Sequence, residues 1–294
     1  MKLQLKSITF PASKAALSEL PEGKLLINTI NAHSYNVAQK DAEFAEALLR
    51  GGVLIPDGAG VVWAKKWLGG KKDDRQQTTD DREQRAKTTP DPKWGVKNQE
   101  RIAGWDLFEW EMGRLQTIDD RRRSTDDGQR TAEKNTKHET RNVEPETASV
   151  LFLGSSEEVL AKIKARAAVD YPNLEIYTYS PPYKPEFTAE DNRAMIEAVN
   201  AVVPDLLWIG MTAPKQEKWA YKHYEQLNVR GHIGTIGAVF DFYAGTIERA
   251  PLWWQEHSLE WLYRLVKEPR RMWRRYLVGN VKFVWGVVRE KWMM

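Results

Sequence analysis

Six short apolar runs limit what this chain can fold into more than any other feature. They are Lys24–Thr29 (KLLINT), the run VLIP ending at Pro56, Val150–Gly154 (VLFLG), Leu174–Tyr179 (LEIYTY), Asp205–Gly210 (DLLWIG) and Gly231–Ile236 (GHIGTI). Each is too short for a stable helix, and most are apolar throughout rather than alternating, as strands buried on both faces are. The segments between them carry helix signals. Asp41 precedes a run in which Phe44 and Leu48 share a face and Gly51-Gly52 stops it; Ser155 and Ser156 precede Val159, Leu160 and Ile163; Thr188 and Asp191 form a capping-box pattern. Strands alternating with helices predict an α/β fold, a doubly wound, mostly parallel, Rossmann-like sheet.

Within that scheme the first strand, helix and second strand form a βαβ unit, which places Thr29, Asn31 and Asp57 at one edge of a parallel sheet. Ligands bind beyond the carboxyl ends of such strands, and Gly58 and Gly60 would let one approach the backbone. The same stretch allows a plainer reading in which Asp57 caps the helix that begins near Ala59.

Two stretches break the pattern. Lys71 to Glu100 and Gln116 to Ser149 mix both charge signs, hold few large aliphatics and show no helical or strand period. They read as mobile insertions, because neither has the apolar surface to offset its ordering entropy. Between them Asp106 can begin a helix with Leu107 and Phe108 on its apolar face. Residues 1–249 thus read as one α/β domain with insertions at about 71–100 and 116–149, and residues 250–294 as an appendage. From Arg249 onward there are ten Lys/Arg against four Asp/Glu, and six of the thirteen tryptophans lie in this tail. Aromatic anchors among arginines suit an interfacial helix on an anionic membrane surface; the alternative is a helical hairpin packed on its own domain.

Several chemistries find no support. The chain has no cysteine, so it has no disulfide framework and no thiolate nucleophile. No HExxH, P-loop or GxGxxG is present, and the N-terminus MKLQLKSITF does not read as a signal peptide. No Asp-x-Asp occurs, the pattern with which a metal-dependent nucleotide-sugar transferase holds its divalent ion, and the Asp-Asp pairs at 73, 80, 119 and 126 all fall in the polar stretches. His33, His223 and His232 read as packing or surface groups.

Taken together, seven segments resemble the WecG/TagA/CpsF family of bacterial glycosyltransferases. They are TxN at Thr29 to Asn31, IPDGAGVV from Ile55, RIAGWDLF from Arg101, SPPY from Ser180, APKQEKW from Ala213, GAVFDFYAGTIERAP from Gly237 and EWLYRLVKEPRR from Glu260, in the family's order. About thirty residues separate Gly70 from Arg101, where a short loop would be expected. The resemblance implies an inverting, metal-independent transferase with no cofactor. It would move a sugar such as N-acetylmannosamine, its uronic acid or another hexose from a UDP-sugar donor to a polyprenyl-diphosphate-linked sugar acceptor. The setting implied is the cytoplasmic face of the bacterial inner membrane, with the protein bound peripherally, in cell-surface polysaccharide or teichoic acid synthesis.

On that resemblance Asp57 is the base that takes the acceptor hydroxyl proton. Arg101, Arg264, Arg271 and Arg274 are the candidates to meet the charge on the leaving diphosphate, since a planar guanidinium can hold two phosphate oxygens. Thr29, Asn31 and Gln216 would orient donor or acceptor, Asp241 would accept from ribose hydroxyls with Gly237 allowing close approach, and Tyr183 would stack on uracil. Two other classes compete. One is an inactive membrane-bound assembly factor of the same fold, against which the retention of Asp57, Thr29 and Gln216 argues. The other is a single-strand nucleic-acid binder using the basic aromatic tail; the sequence is read here as having no nucleic-acid partner. A homo-oligomer is compatible with the sequence, which does not set the oligomeric state.

Overall fold

The computed structural model describes residues 2–69, 100–133, 147–257 and 259–292, with side chains for all of these except 121–133, 256 and 271. Six parallel strands form a single sheet in the order β2-β1-β6-β5-β3-β4: β1 Leu25–Ile30, β2 Val53–Pro56, β3 Ser149–Gly154, β4 Glu175–Tyr179, β5 Leu206–Gly210 and β6 His232–Thr235. All six strands expected from the sequence are present. The helices of the α/β domain are α1 Ala32–Ala38, α2 Ala42–Arg50, α3 Ala59–Gly69, α4 Gly104–Glu133, α5 Glu157–Asp170, α6 Ala189–Val202, α7 Lys215–His223 and α8 Gly237–Tyr243. Asp41 caps α2 through the Phe44 N–H at 3.0 Å, and Thr188 with Asp191 closes the capping box of α6, as their spacing predicts.

Side chains leave a strand on alternate faces, and the core divides accordingly. Ile27, Val150, Phe152, Leu206 and Trp208 pack with Phe108 of α4, Leu160 and Ile163 of α5 and Phe240 of α8. Their neighbours Leu26, Leu151, Leu153, Leu207 and Ile209 pack on the other face with Met195 and Val199 of α6 and Trp219 of α7. Each large buried side chain contributes roughly 1.5–3 kcal/mol by leaving water, so both faces must stay covered.

Two expectations change here. Asp106 does begin a helix, but α4 runs on to Glu133, into the stretch read as an unstructured insertion. Its inward face continues through Met112 and Leu115, and buried Glu111 and Asp119 have protein partners. Glu111 is bound by Arg114 and by His232, and Asp119 Oδ1 accepts from the Ala148 N–H at 3.2 Å. The Asp119-Asp120 pair is therefore part of the folded domain. The pairs at 73, 80 and 126, and the whole of 70–99, lie outside the described side chains.

The second change concerns the tail. It is helical, as α9 Leu252–Glu256, α10 Glu260–Lys267, α11 Pro269–Trp273, a π-turn Arg274–Val278 and α12 Gly279–Trp292. Helix α12 belongs to the α/β domain, not to a separate appendage. Phe283 and Val287 are buried in a third cluster with Leu3, Leu5, Phe10, Tyr35, Leu54 and Val61. Buried Glu290 accepts from the Lys6 N–H at 2.7 Å and from the Tyr35 hydroxyl at 3.3 Å. The hairpin-on-its-own-domain reading thus holds for the inner side of α12. The outer side keeps Val281, Trp285 and Trp292 exposed. Among the described residues no helix is long and apolar enough to cross a membrane.

Candidate active site

The β1–β2 register pairs Thr29 with Ile55 and Ile30 with Pro56, and the Asp57 N–H continues it by donating to the Ile30 carbonyl at 2.8 Å. Gly58 then turns with φ +108°, a conformation a side chain resists, and α3 starts one residue later. This geometry carries Asp57 past the sheet edge before the helix begins. Among the described residues its carboxylate accepts no hydrogen bond, so the capping reading has no bond to rest on. Burial raises its pKa to about 6, Glu260 and Asp106 push in the same direction, and Arg101 and Arg264 oppose them.

Arg101 reaches the site despite the long preceding segment. The Ile102 N–H donates to the Pro56 carbonyl at 3.1 Å, which returns the chain to the strand it left and sets Arg101 beside Asp57. Its guanidinium donates through Nη1 to Glu260 Oε2 on α10. The other Glu260 oxygen accepts from Arg249 Nε at 3.3 Å. Arg264, one turn further along α10, lies 4.7 Å from the Phe242 ring centre. Arg274 is exposed over Trp273 and makes no described contact with this group. The side chain of Arg271 lies outside the described residues.

The remaining candidates separate. Half-buried Thr29 keeps a hydroxyl with no hydrogen-bond partner among the described residues, at the strand end next to Asp57. The Asn31 side-chain oxygen is not available to a substrate, because it caps α1 by accepting from the His33 and Ser34 N–H groups, both at 3.0 Å. Gln216 is buried, and its Oε1 accepts from the Met211 N–H at 3.1 Å and the Gly237 N–H at 3.2 Å. Its Nε2 donates to Glu217 Oε1 at 2.9 Å. Gln216 ties the ends of β5 and β6 together. Gly237 serves that tie. A Cβ there would lie 2.3 Å from the Met211 carbonyl oxygen, so the close approach it permits is the chain's own. The Asp241 backbone carbonyl receives the Thr246 N–H at 3.0 Å, and its carboxylate faces the Thr246 hydroxyl at 3.5 Å. Tyr183 is fully exposed on the segment after β4.

Sequence reading missed Glu260, Arg249 and Glu217. All three lie inside quoted segments, but a search for cations to hold phosphate passes over the two carboxylates. Buried Glu217 has its pKa raised to about 7 by desolvation, and its second oxygen lacks a partner among the described residues.

A carboxylate at a strand end, within the fields of Arg101 and Arg264, suits proton abstraction next to a leaving anion. The profile of the glycosyl transferase WecG/TagA/CpsF family matches residues 1–97 and 136–294. The chain belongs to that family. It is a glycosyltransferase, and the likeness to the family expected from the quoted segments is confirmed. The match leaves out 98–135, so the place of Arg101 in the site rests on the geometry above. A relative from Bacillus spizizenii, N-acetylglucosaminyldiphosphoundecaprenol N-acetyl-beta-D-mannosaminyltransferase, is 26% identical over 254 residues, which is 86% of this chain and 75% of the relative. A protein of the same name from Bacillus subtilis strain 168 is 25% identical over 266 residues, 90% of this chain and 80% of its own length.

Proposed function

We propose that this glycosyltransferase moves a sugar, with inversion and without a resident metal, from a UDP-sugar to a sugar carried on a polyprenyl diphosphate. Asp57 takes the proton of the acceptor hydroxyl as its oxygen attacks the anomeric carbon, and the bond from that carbon to the diphosphate oxygen breaks, releasing UDP. The observation that carries this reading is the Asp57 carboxylate beyond the end of β2, which accepts no hydrogen bond among the described residues and lies within the fields of Arg101 and Arg264, burial raising its pKa to about 6. A base near the working pH combines a deprotonated fraction with useful proton affinity. Arg101 and Arg264 meet the growing charge on the diphosphate; Arg271 and Arg274 are assigned the same task from the tail. Thr29 holds the acceptor near Asp57, and Asp241 and Tyr183 bind the ribose and uracil.

The relatives' names supply the first sugar pair to try, N-acetylmannosamine on the donor and N-acetylglucosaminyl diphosphate on the lipid. The protein works at the cytoplasmic membrane face, held there by the exposed apolar side chains Leu252, Trp253, Val281, Trp285 and Trp292 among basic residues of the tail. A screen of UDP-sugars with a short-chain prenyl-diphosphate acceptor, reading UDP release, tests the reaction. Turnover with one donor, abolished in Asp57→Asn, is the expected result; no UDP release from any donor would remove the reading.

A further inference from the structure

Glu260 sits where a carboxylate has no evident catalytic use. It lies on α10, inside the group of arginines assigned above to the diphosphate. One of its oxygens accepts from Arg101, the other from Arg249 at 3.3 Å, and side-chain exposure is only 21%, 24% and 21% for Arg101, Glu260 and Arg249. Two guanidinium groups that each take one oxygen of a single anion form a bidentate anion site, largely shielded from water and salt.

Both arginines are positioned without Glu260. The backbone beside Arg101 is tied to Pro56 through the Ile102 N–H at 3.1 Å, and the Arg249 guanidinium lies 5.2 Å from the Trp105 ring centre. An aromatic face holds a cation without neutralising it. If Glu260 left, the two cations would stay, facing the same space and in want of an anion. A diphosphate offers more charge and more acceptor oxygens than one carboxylate.

We propose that Arg101 and Arg249 form a diphosphate site, and that Glu260 is its built-in occupant, displaced when the donor's diphosphate arrives. This rests on the donor reading above and extends it to Arg249, to which the sequence reading gave no role. It also gives the tail a part in turnover. Glu260 and Arg264 are one turn apart on α10 and both act on the charge of Asp57, so an incoming diphosphate repels one and attracts the other. The helix therefore exchanges its own carboxylate for the ligand while keeping its own guanidinium at the site.

Calorimetric titration of the full chain with inorganic pyrophosphate and with UDP tests this. Glu260→Gln should tighten both about tenfold, the effect of removing one charge-assisted competitor, and Arg249→Gln should weaken both about tenfold. The group facing Asp57 contains Arg101, Arg264, Asp106 and Glu260, so Glu260→Gln should also move the acid limb of kcat/KM to lower pH. Glu260→Asp keeps the charge but shortens the reach, and a tighter pyrophosphate Kd in that variant supports the proposal even if the Gln variant melts early. Unchanged or weaker pyrophosphate binding in both Glu260 variants, or unchanged binding in Arg249→Gln, would overturn it. Pyrophosphate needs no sugar, so these titrations decide the inference even where no UDP-sugar turns over, a result that would count against the donor reading alone.

Discussion

The Ile102 N–H donates to the Pro56 carbonyl at 3.1 Å, joining residues 46 positions apart in the chain immediately beside Asp57 and Arg101. A single backbone bond thereby decides whether the base has a cation next to it. The consequences for activity and stability can be measured.

Asp57→Asn keeps the size of the side chain but cannot accept a proton, so turnover should fall about 10²- to 10⁴-fold. The wild-type rate should rise with pH through about 6 as Asp57 loses its proton. Its folded pKa lies above the ~3.9 of an unfolded aspartate, so between those values the folded state binds more protons and stability falls as pH rises. The Asn variant lacks this penalty. Its melting temperature should exceed that of the wild type near pH 8 and match it near pH 4; unchanged melting at both, with turnover retained, would mean that Asp57 is a helix cap, because Asn caps as well as Asp.

Gln216→Ala leaves the half-buried Met211 and Gly237 N–H groups without their acceptor and buried Glu217 without its donor. A cost of about 2–4 kcal/mol is expected. Chemical denaturation would register it, and a variant of normal stability with lost turnover would restore Gln216 to the substrate.

Phe283 and Trp285 are two residues apart on α12, yet one is buried and the other 71% exposed. Phe283→Ala should destabilise the domain by about 3–5 kcal/mol. Trp285→Ser should leave the melting temperature unchanged while reducing co-sedimentation with anionic liposomes. Equal melting behaviour of the two variants would show that α12 is not seated on the core.

Tyr183 is fully exposed among the described residues, so Tyr183→Ala should be neutral in a thermal melt. If its ring stacks on uracil, UDP binding should weaken about tenfold, whereas pyrophosphate binding should not change. An unaltered UDP titration would remove Tyr183 from the donor site.

The sequence by itself determined the parts that local rules govern. Strand runs are marked by unbroken apolar residues, helix starts by capping side chains at Asp41 and Thr188, and the exit of β2 by Pro56-Asp57-Gly58; all of these act within a few residues. Asp57 was legible for the same reason, since a strand end in a parallel sheet is a position that neighbouring residues define. Tertiary structure decided what depends on partners far along the chain. The stretch from Gln116 looked too polar to fold, yet Asp119 within it is met by the Ala148 N–H from the far end of that stretch. The tail's apolar residues divide in the same way, Phe283 and Val287 buried and Trp285 and Trp292 exposed, because periodicity says that a helix has an apolar face but not what covers it. Gln216 looked like a substrate ligand because its true partners, Met211 and Gly237, come together only when β5 and β6 pair. The raised pKa of Asp57 is likewise a property of the assembled crevice, set by burial and by charges from α4, α10 and Arg101, and no one of these segments encodes it alone.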